Sequence, residues 1–408
     1  MKIYCSVCGR EFPPGTLGRC VTCQGIIAPA YSDEAVSQLA HIQPGRGIDR
    51  YRVVLPVTVP IPYLGEGDTP LIRSQRLGQS LGLQNLYFKH EGLNPSGAFK
   101  DRAGAMVAAL ALEAGAKGIL TASSGNASSA ISAYCAAAGL KCIILMEPGN
   151  PVAKLRQTVA TGAKVLLIEG IFAHGPEALS ELLRTLAERI DYYLGFVWAP
   201  VNPYILEGIK TISYEIAHQL PGAPDVVIGP VGGGDMFAAQ WRGYRELQRA
   251  GVIDQLPRMV GVQSLNAPPL VQAFEAHRDN VATLSYARSR ISGINVSFSG
   301  DHALSAIRES SGLAIGVRDE EVVAMQQRMA VEEGVWVEPA GAAAVTAIPD
   351  LLARRAITAD QRIVCIISGA GFKDSHLAED AASVITQQAA LPLDLEVITA
   401  ACLDATHP

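Results

Sequence analysis

Lys100 closes a loop whose residue types could support covalent amine chemistry. The run Lys89-His-Glu-Gly-Leu-Asn-Pro-Ser-Gly-Ala-Phe-Lys-Asp-Arg102 contains glycine and proline, and the sequence predicts an apolar helix after it, from Ala103 to Ala114. A lysine that forms a Schiff base must present an unprotonated amine, which a half-buried position at a helix start favours. The lysine alone leaves open an alternative, a surface side chain in a charged Lys-Asp-Arg cluster.

Two further loops follow apolar strands and could bind anionic groups. The run Ser123-Ser-Gly-Asn-Ala127 opens an alanine-rich helix, where N–H groups and hydroxyls can hold an anion. An ordinary helix N-cap is the alternative for this run. In Gly229-Pro-Val-Gly-Gly-Gly-Asp-Met236 three successive glycines let the backbone bend close to a phosphate. This second run lacks the spacing of a Rossmann fingerprint, and a tight turn without a ligand is its alternative.

Four cysteines near the N-terminus have the spacing of a metal site. Eleven residues separate Cys5-x-x-Cys8 from Cys20-x-x-Cys23. Two such pairs supply four thiolates with tetrahedral reach, as in a zinc ribbon. Because four thiolates leave no open coordination position, we expect a structural zinc rather than a catalytic one. Two disulfides are the competing interpretation, which a cytoplasmic compartment disfavours.

The composition argues against several kinds of partner. The 408 residues are 49% hydrophobic and 18% charged, which is enough apolar material for a large core. The formal net charge of −6, without a basic run, gives no electrostatic footprint for nucleic acid. The N-terminus does not have the pattern of a signal peptide, and no apolar run reaches membrane-spanning length. We therefore expect a cytoplasmic protein with no nucleic-acid or membrane partner.

Short β-branched runs alternate with alanine-rich helical runs over most of the chain. Continuous apolar strands bounded by glycine predict parallel sheets that are covered on both faces. This is an α/β class, with binding sites expected at the carboxyl ends of the strands. We divide the chain into a cysteine-rich segment (1–27), a linker or approach segment (28–66), a core (67–386) and a C-terminal tail (387–408).

Taken together, the motifs resemble those of the pyridoxal-phosphate (PLP) enzymes of fold type II, the tryptophan synthase beta-like superfamily. The run ending at Arg102 is similar to the Asn-Pro-Thr-Gly-Ser-Phe-Lys-Asp-Arg signature of threonine synthases. Val337-Glu-Pro-Ala-Gly-Ala-Ala343 resembles the family's Glu-Pro-Ala-Ser-Ala-Ala segment, and Ser368-Gly-Ala-Gly-Phe-Lys-Asp374 its late strand-end motif. The resemblance covers roughly residues 67 to 380. It implies two doubly wound α/β subdomains with the cofactor between them, a small N-terminal zinc ribbon and a homodimer.

The resemblance also implies a role for individual residues. Lys100 would carry the cofactor as a Schiff base, Asn126 would hydrogen-bond its ring hydroxyl, and the Ser368 hydroxyl would meet its ring nitrogen. A neutral hydroxyl there makes the ring a weaker electron sink, which favours elimination and replacement over transamination. Glu338 lies at the edge of the site, or is a plain helix-start carboxylate. The residues implied for the cofactor phosphate are Gly232, Gly233, Gly234, Asp235 and Met236. Those implied for the substrate carboxylate are Ser123, Ser124, Gly125 and Ala127.

The sequence departs from the threonine synthase pattern where the substrate's phosphate would bind. The family uses an Asn-Ser pair and an arginine before Leu-Glu-Gly, but Ala199, Pro200 and Ile205 stand at these positions. Each lost charge-assisted hydrogen bond costs on the order of 1.5–3 kcal/mol. Ser368 stands where threonine synthases usually carry threonine, and serine is what many β-replacing relatives carry. The first departure favours a substrate without a phosphate, and the second loosens the assignment to threonine synthases.

Three functions are compatible with these residues. The first is threonine synthase-type chemistry, in which γ-elimination is followed by water addition. The second is a serine or threonine ammonia-lyase, or a β-replacing synthase acting on an O-activated serine. In both, the substrate amine would displace Lys100, which would then remove the α-proton as general base. The third is a non-catalytic binding protein, which the retained Lys100, Asn126 and triple glycine argue against.

Overall fold

The computed structural model describes residues 1–43, 45–123, 125–148, 152–173, 175–374 and 392–403. Residues 1–374 form one compact unit, and residues 375–408 form a second. In the second unit the described part contains a single helix, which begins at Leu395. Every functional residue discussed below belongs to the first unit.

The strands of the described residues form three sheets. Most strands of the two larger sheets are short and apolar, as expected for strands that are covered on both faces. The strands are β1 (Lys2–Cys5), β2 (Glu11–Phe12), β3 (Ile27–Ala30), β4 (Leu71–Arg73), β5 (Asn85–His90), β6 (Gly118–Ala122), β7 (Lys141–Met146), β8 (Lys164–Leu167), β9 (Tyr193–Leu194), β10 (Val226–Pro230), β11 (Arg258–Ser264), β12 (Leu313–Val317) and β13 (Arg362–Ile367).

Helices alternate with these strands along the chain. Residues 38–41, 47–54, 91–93, 292–294 and 371–374 form additional 3-10 turns. The α-helices are α1 (Asp33–Ser37), α2 (Leu77–Ser80), α3 (Lys100–Glu113), α4 (Asn126–Ala137), α5 (Val152–Ala160), α6 (Gly175–Ile190), α7 (Ile205–Ile209), α8 (Thr211–Gln219), α9 (Asp235–Arg249), α10 (Pro269–Glu275), α11 (Asp301–Glu309), α12 (Asp319–Glu333), α13 (Pro339–Thr346), α14 (Ile348–Ala353) and α15 (Leu395–Leu403).

The two larger sheets confirm the α/β class. One has the strand order β12-β11-β10-β13-β5-β4, in which only β4 runs antiparallel to its neighbour. The other has the order β8-β7-β6-β9 and is parallel throughout. Since α3, α4 and α9 follow β5, β6 and β10, the predicted site motifs lie beyond the carboxyl ends of strands from both sheets.

The cysteine-rich segment forms the third, antiparallel sheet. Its centre is β1, which pairs with β2 on one side and with β3 on the other. Cys5 is the last residue of β1, and the tight turn that contains Cys8 follows it and ends at Gly9, which has a φ of +73°. This left-handed conformation favours glycine, because it has no Cβ to clash with the backbone.

Short helical turns occur in the first part of the stretch between the small sheet and β4. Ser32 is the N-cap of α1, and its hydroxyl accepts a hydrogen bond from the Ala35 N–H at 3.2 Å. Apolar side chains of this stretch belong to the main hydrophobic core, although the sequence suggested a linker. They are spread over short turns rather than one long helix, so the apolar residues show no regular spacing in the sequence. The fully buried ones are Val36, Leu39, Ile48, Tyr51 and Val54.

Candidate active site

A cavity of about 750 Å³ lies at the carboxyl ends of the strands. Its walls contain almost all the residues that the sequence nominates for the cofactor and the substrate, which come from loops far apart in the chain. Of the nominated residues, Ser124 lies outside the described part of the structure. Those that line the cavity are Lys100, Ser123, Gly125, Asn126, Ala127, Gly232, Gly233, Gly234, Asp235, Met236 and Ser368.

Lys100 is the first residue of α3, three residues earlier than the sequence predicted. The loop before it is fixed to the end of β13, because the Phe99 N–H donates to the Ser368 carbonyl at 3.0 Å. The amine lies 4.7 Å from the Phe99 ring centroid. Burial lowers the pKa of Lys100, although the nearby carboxylates of Asp235 and Glu338 oppose this effect. The side chain is half-buried and lines the cavity, so its amine is partly shielded from water and accessible to a ligand.

A buried ion cluster lies behind Lys100 and fixes the start of α3. The Arg102 guanidinium donates to both carboxylate oxygens of Glu91 (2.8 and 2.8 Å) and of Glu215 (2.6 and 2.7 Å). The Lys89 amine donates to Glu215 at 2.7 Å. None of these side chains is more than 1% exposed. These two bidentate contacts hold the guanidinium in one orientation, and they thereby fix the first turn of α3.

The glycine turn, Gly232 to Gly234, needs glycine for steric reasons. Gly234 has a φ of +97°, and a Cβ there would lie 2.8 Å from the Ala303 Cβ. A Cβ on Gly233 would lie 3.2 Å from the Trp198 Cδ1. The turn leads directly into α9, whose first N–H groups have no partner within the helix. It can therefore bring backbone donors and a helix N-terminus close to an anionic group.

The Asp235 side chain is engaged in holding this turn. Its Oδ1 accepts a hydrogen bond from the Ala199 N–H at 2.9 Å and lies 3.1 Å from the His302 Nε2. A carboxylate would repel a phosphate, so the Asp235 backbone N–H is the group that suits the nominated role. The Ser299 hydroxyl is also buried near the turn, 3.4 Å from where a Gly234 Cβ would lie. It has no hydrogen-bond partner among the described residues.

Glu338 bridges two of the nominated residues. One of its oxygens accepts a hydrogen bond from the Asn126 side-chain amide at 2.8 Å, and the other accepts one from the Ser368 hydroxyl at 2.8 Å. The carboxylate is 2% exposed. Gly369 leaves room for it, since a Cβ there would lie 2.6 Å from the Glu338 carboxyl carbon. Glu338 therefore belongs to the site itself, where the sequence alone left a plain helix-start carboxylate open.

These residues fit pyridoxal phosphate. A desolvated amine, a glycine turn beside a helix N-terminus and two polar side chains face one cavity of sufficient size. The Asn126 Oδ1 is buried and has no partner among the described residues, which leaves it available to a ligand hydroxyl. Lys100 would hold the cofactor covalently, the turn would hold its phosphate, and Asn126 and Ser368 would contact its ring.

An aromatic wall completes the cavity, and no pattern in the sequence signalled it. The Trp198 and Phe298 rings meet edge to face with centroids 4.9 Å apart. Phe172, Leu179 and Phe196 extend this apolar surface. The five side chains come from four separate loops or helices, and only Phe196 and Trp198 are close in sequence.

The four N-terminal cysteines lie together, as their spacing predicted. Their sulfur atoms are all within 4.8 Å of one another. The closest pairs are Cys5 with Cys23 at 3.4 Å and Cys8 with Cys20 at 3.7 Å. Backbone N–H groups also reach two sulfurs, from Val7 to Cys5 and from Thr22 to Cys20, each at 3.4 Å. Four sulfurs in this arrangement could bind one tetrahedral metal ion.

The fold and the cavity define a pyridoxal-phosphate enzyme of fold type II, and sequence comparisons agree. The family described as pyridoxal-phosphate dependent enzymes matches residues 63–369. Threonine synthase from Methanocaldococcus jannaschii is 36% identical over 384 residues, which is 92% of this chain and 93% of that protein. Threonine synthase from Mycobacterium tuberculosis is 38% identical over 342 residues, which is 82% of this chain and 91% of that protein. The chain therefore belongs to the pyridoxal-phosphate dependent enzymes, and within them it is threonine synthase-like.

Solved structures give the same fold. A threonine deaminase from T.th. superposes with a TM-score of 0.62 at 27% identity, covering 74% of this chain and 92% of that one. Maize serine racemase superposes with a TM-score of 0.68 at 21% identity, covering 88% of this chain and 99% of that one. Among the described residues, no helix is long and apolar enough to cross a bilayer.

Proposed function

We propose that this protein is a PLP-dependent carbon–oxygen lyase that acts on the hydroxyl-bearing or O-activated side chain of a small amino acid. Threonine synthase-type chemistry is the first candidate, since threonine synthases are relatives over nearly the full chain. The observation that carries the proposal is the desolvated Lys100 amine, which faces the same cavity as the glycine turn, Asn126 and Ser368.

The side chains of the cavity have separable tasks. The cofactor, when bound, withdraws electrons from the substrate's α-carbon. Lys100 anchors the cofactor and, once released, accepts the α-proton at Nζ, which its lowered pKa permits. The N-terminus of α4, at Asn126 and Ala127, offers N–H groups to the substrate carboxylate, and Ser123 offers its hydroxyl. Gly125 lines the same surface, and its N–H donates to the Ser123 Oγ at 3.1 Å. The aromatic wall excludes water from the apolar side of the cavity.

A specific feature favours the second candidate, ammonia-lyase or β-replacing chemistry on a substrate without a phosphate. Among the described residues that line the cavity, Lys100 is the only one with a basic side chain, whereas Asp235 and Glu338 supply carboxylates. Within the described part of the lining, a second phosphate would meet these carboxylates and no cation besides Lys100. Ala199, Pro200 and Ile205 are buried in the core, and none of the three is among the lining residues.

A substrate comparison tests the proposal. The purified protein with PLP would be given O-phosphohomoserine, and phosphate release would be followed beside ammonia release from serine and threonine. Rapid phosphate release with threonine formation would establish the first candidate and overturn the argument from the cavity lining. Turnover of serine, threonine or an O-acetylated serine, with slow phosphate release, would establish the second.

A lysine variant tests the site itself. We expect Lys100→Ala to abolish both turnover and the visible absorbance that a lysine-bound pyridoxal gives. Lys117→Ala is the matched control, because Lys117 is exposed and pairs with Asp191 on the surface. An unchanged spectrum in Lys100→Ala would overturn the assignment of this residue.

We also propose a structural zinc ion at Cys5, Cys8, Cys20 and Cys23, a homodimer and a cytoplasmic location. The zinc is supported by the mutual distances of the four sulfurs. Elemental analysis should find one zinc per chain, and Cys8→Ser with Cys23→Ser should lose it. Sedimentation equilibrium would measure the oligomeric state. A metal-free protein of unchanged stability would contradict the structural role of zinc.

A further inference from the structure

The loop between the two cysteine pairs contacts the body of the protein at three points. The Gly15 N–H donates to the Tyr204 hydroxyl at 3.0 Å, and the Gly18 N–H donates to the Val201 carbonyl at 2.9 Å. The Arg19 guanidinium lies 5.7 Å from the Trp198 ring centroid. We call this loop, residues 9–19, the ribbon loop. All three of these partners belong to one short stretch, residues 198–204.

The same stretch also forms part of the active site. Trp198 lines the cavity and lies against Gly233 of the glycine turn. The Ala199 N–H donates to Asp235, the first residue of α9. The stretch 198–201 therefore stands between the ribbon loop and the glycine turn, and contacts both of them directly.

The cysteine cluster lies at both ends of the ribbon loop. The loop joins Cys8 to Cys20, and its strand β2 pairs with β1. Arg19 also donates to the carbonyl of Gln24, directly after Cys23, at 3.1 Å. A metal ion that binds all four sulfurs would fix both ends of the loop and restrict its conformations. Gly18 and Arg19 would then be held against Val201 and Trp198.

We propose that the cysteine-rich segment is a positioning element of the active site, and that Arg19 is the positioning residue through which it acts on Trp198. Metal in the cysteine cluster then strengthens binding of the cofactor phosphate at the glycine turn. The inference rests on the proposed function, because it requires PLP at the turn and a metal at the cysteines. Two sites that share one restrained segment are coupled, and such coupling is reciprocal.

Arg19 variants of the full-length protein test the contact. The dissociation constant of PLP would be measured by spectroscopic titration, and zinc content by elemental analysis. Arg19→Ala should weaken PLP binding roughly two- to five-fold, the range of an exposed cation–π contact, without loss of zinc. Arg19→Lys should restore most of the affinity, since it keeps the cation. Arg10→Ala is the matched control, because Arg10 lies over Phe12 within the small sheet and donates to Thr22.

Zinc removal tests the coupling independently of Arg19. A chelator should weaken PLP binding to the wild-type protein. It should have a smaller effect on Arg19→Ala, because this variant already lacks the contact with Trp198. Reciprocally, saturating PLP should strengthen zinc binding by a similar factor, measured by competition with the chelator at equilibrium. Equal PLP affinity of the wild-type protein with and without zinc, and of Arg19→Ala, would overturn the inference. Failure of the wild-type protein to bind PLP or zinc at all would instead overturn the proposed function.

Discussion

The Ser368 hydroxyl donates a hydrogen bond to the Glu338 carboxylate at 2.8 Å. Because its proton is directed towards Glu338, the Ser368 oxygen keeps its lone pairs for another partner. The sequence alone suggested a neutral hydroxyl at the ring nitrogen. The structure adds a buried carboxylate directly behind that hydroxyl, and the same carboxylate also holds Asn126. The two residues expected to contact the cofactor ring are thus positioned by one charged group.

Glu338→Gln should shift the pH dependence of cofactor attachment to Lys100. The Glu338 charge raises the pKa of Lys100 and so opposes the lowering by burial. Removing the charge should lower the pKa of Lys100 further and leave more of the amine unprotonated at a given pH. The acid limb of the attachment rate, followed by visible absorbance, should therefore move to lower pH. Glu333→Gln is the control, because the Glu333 carboxylate accepts a hydrogen bond from the Leu77 N–H at the start of α2. An acid limb at the same pH in both variants would refute the role of Glu338.

Gly234→Ala should weaken cofactor binding far more than it weakens folding. The new methyl group would require a left-handed conformation and would lie 2.8 Å from the Ala303 Cβ. Left-handed strain in a non-glycine residue costs about 1–2 kcal/mol, and the contact must displace the turn. We expect at least a tenfold loss of PLP affinity, measured by titration.

Gly251→Ala is the control that separates the cost of left-handed backbone strain from an effect on the cofactor site. Gly251 has a similar φ of +71°, and a Cβ there would have no atom within 4 Å. This variant should show the same order of destabilisation in urea but should bind PLP normally. Equal PLP affinities in the two variants would show that the turn does not hold the cofactor.

The fold class and the cavity-lining loops could be predicted because their signals are local. Apolar strands bounded by glycine, the loop before Lys100 and the triple glycine can each be recognised within about ten residues. The contacts made by Trp198, Glu215 and Glu338 could not be predicted, since each of them joins residues that are distant in sequence. Trp198 meets Gly233 across 35 positions, and Arg102 meets Glu215 across 113. Such contacts arise only when the two sheets and their helices assemble.

Arg102→Met should strongly destabilise the protein. The guanidinium neutralises Glu91 and Glu215 in a site where both carboxylates are almost fully buried. Removing one partner of a buried ion pair leaves an uncompensated charge and costs about 3–5 kcal/mol. Urea unfolding would measure the loss. Arg184→Met is the control: Arg184 is 56% exposed and pairs with Glu181 on the surface of α6, so its loss should cost well under ~1 kcal/mol. Equal effects of the two substitutions would contradict the role of the cluster.

The acid stability of the protein should depend on Glu215. Coupling to Arg102 and Lys89 overcomes the effect of burial and lowers the pKa of Glu215 from 4.5 to about 2. A lowered carboxyl pKa contributes stability that is complete above the unfolded value of 4.5 and is lost as the pH falls towards 2. The contribution, shared with the whole ion cluster, is on the order of 3 kcal/mol. Glu215→Gln should therefore differ from the wild-type protein by an amount that shrinks as the pH falls from 4.5 to 2.

Asp101 supplies a control of opposite sign for the same measurement. Burial, opposed by hydrogen bonds from Ser96, raises the pKa of Asp101 from 3.8 to about 6. The unfolded chain then loses its proton first as the pH rises, so the contribution of Asp101 to stability falls between pH 3.8 and 6. Urea unfolding from about pH 2.5 to 7 should show Asp101→Asn gaining stability relative to the wild-type protein across this interval. Glu215→Gln should lose stability relative to the wild-type protein as the pH rises from 2 to 4.5. Parallel stability curves for the wild-type protein and both variants would contradict the two assignments, because each variant removes one of the groups whose titration sets the slope.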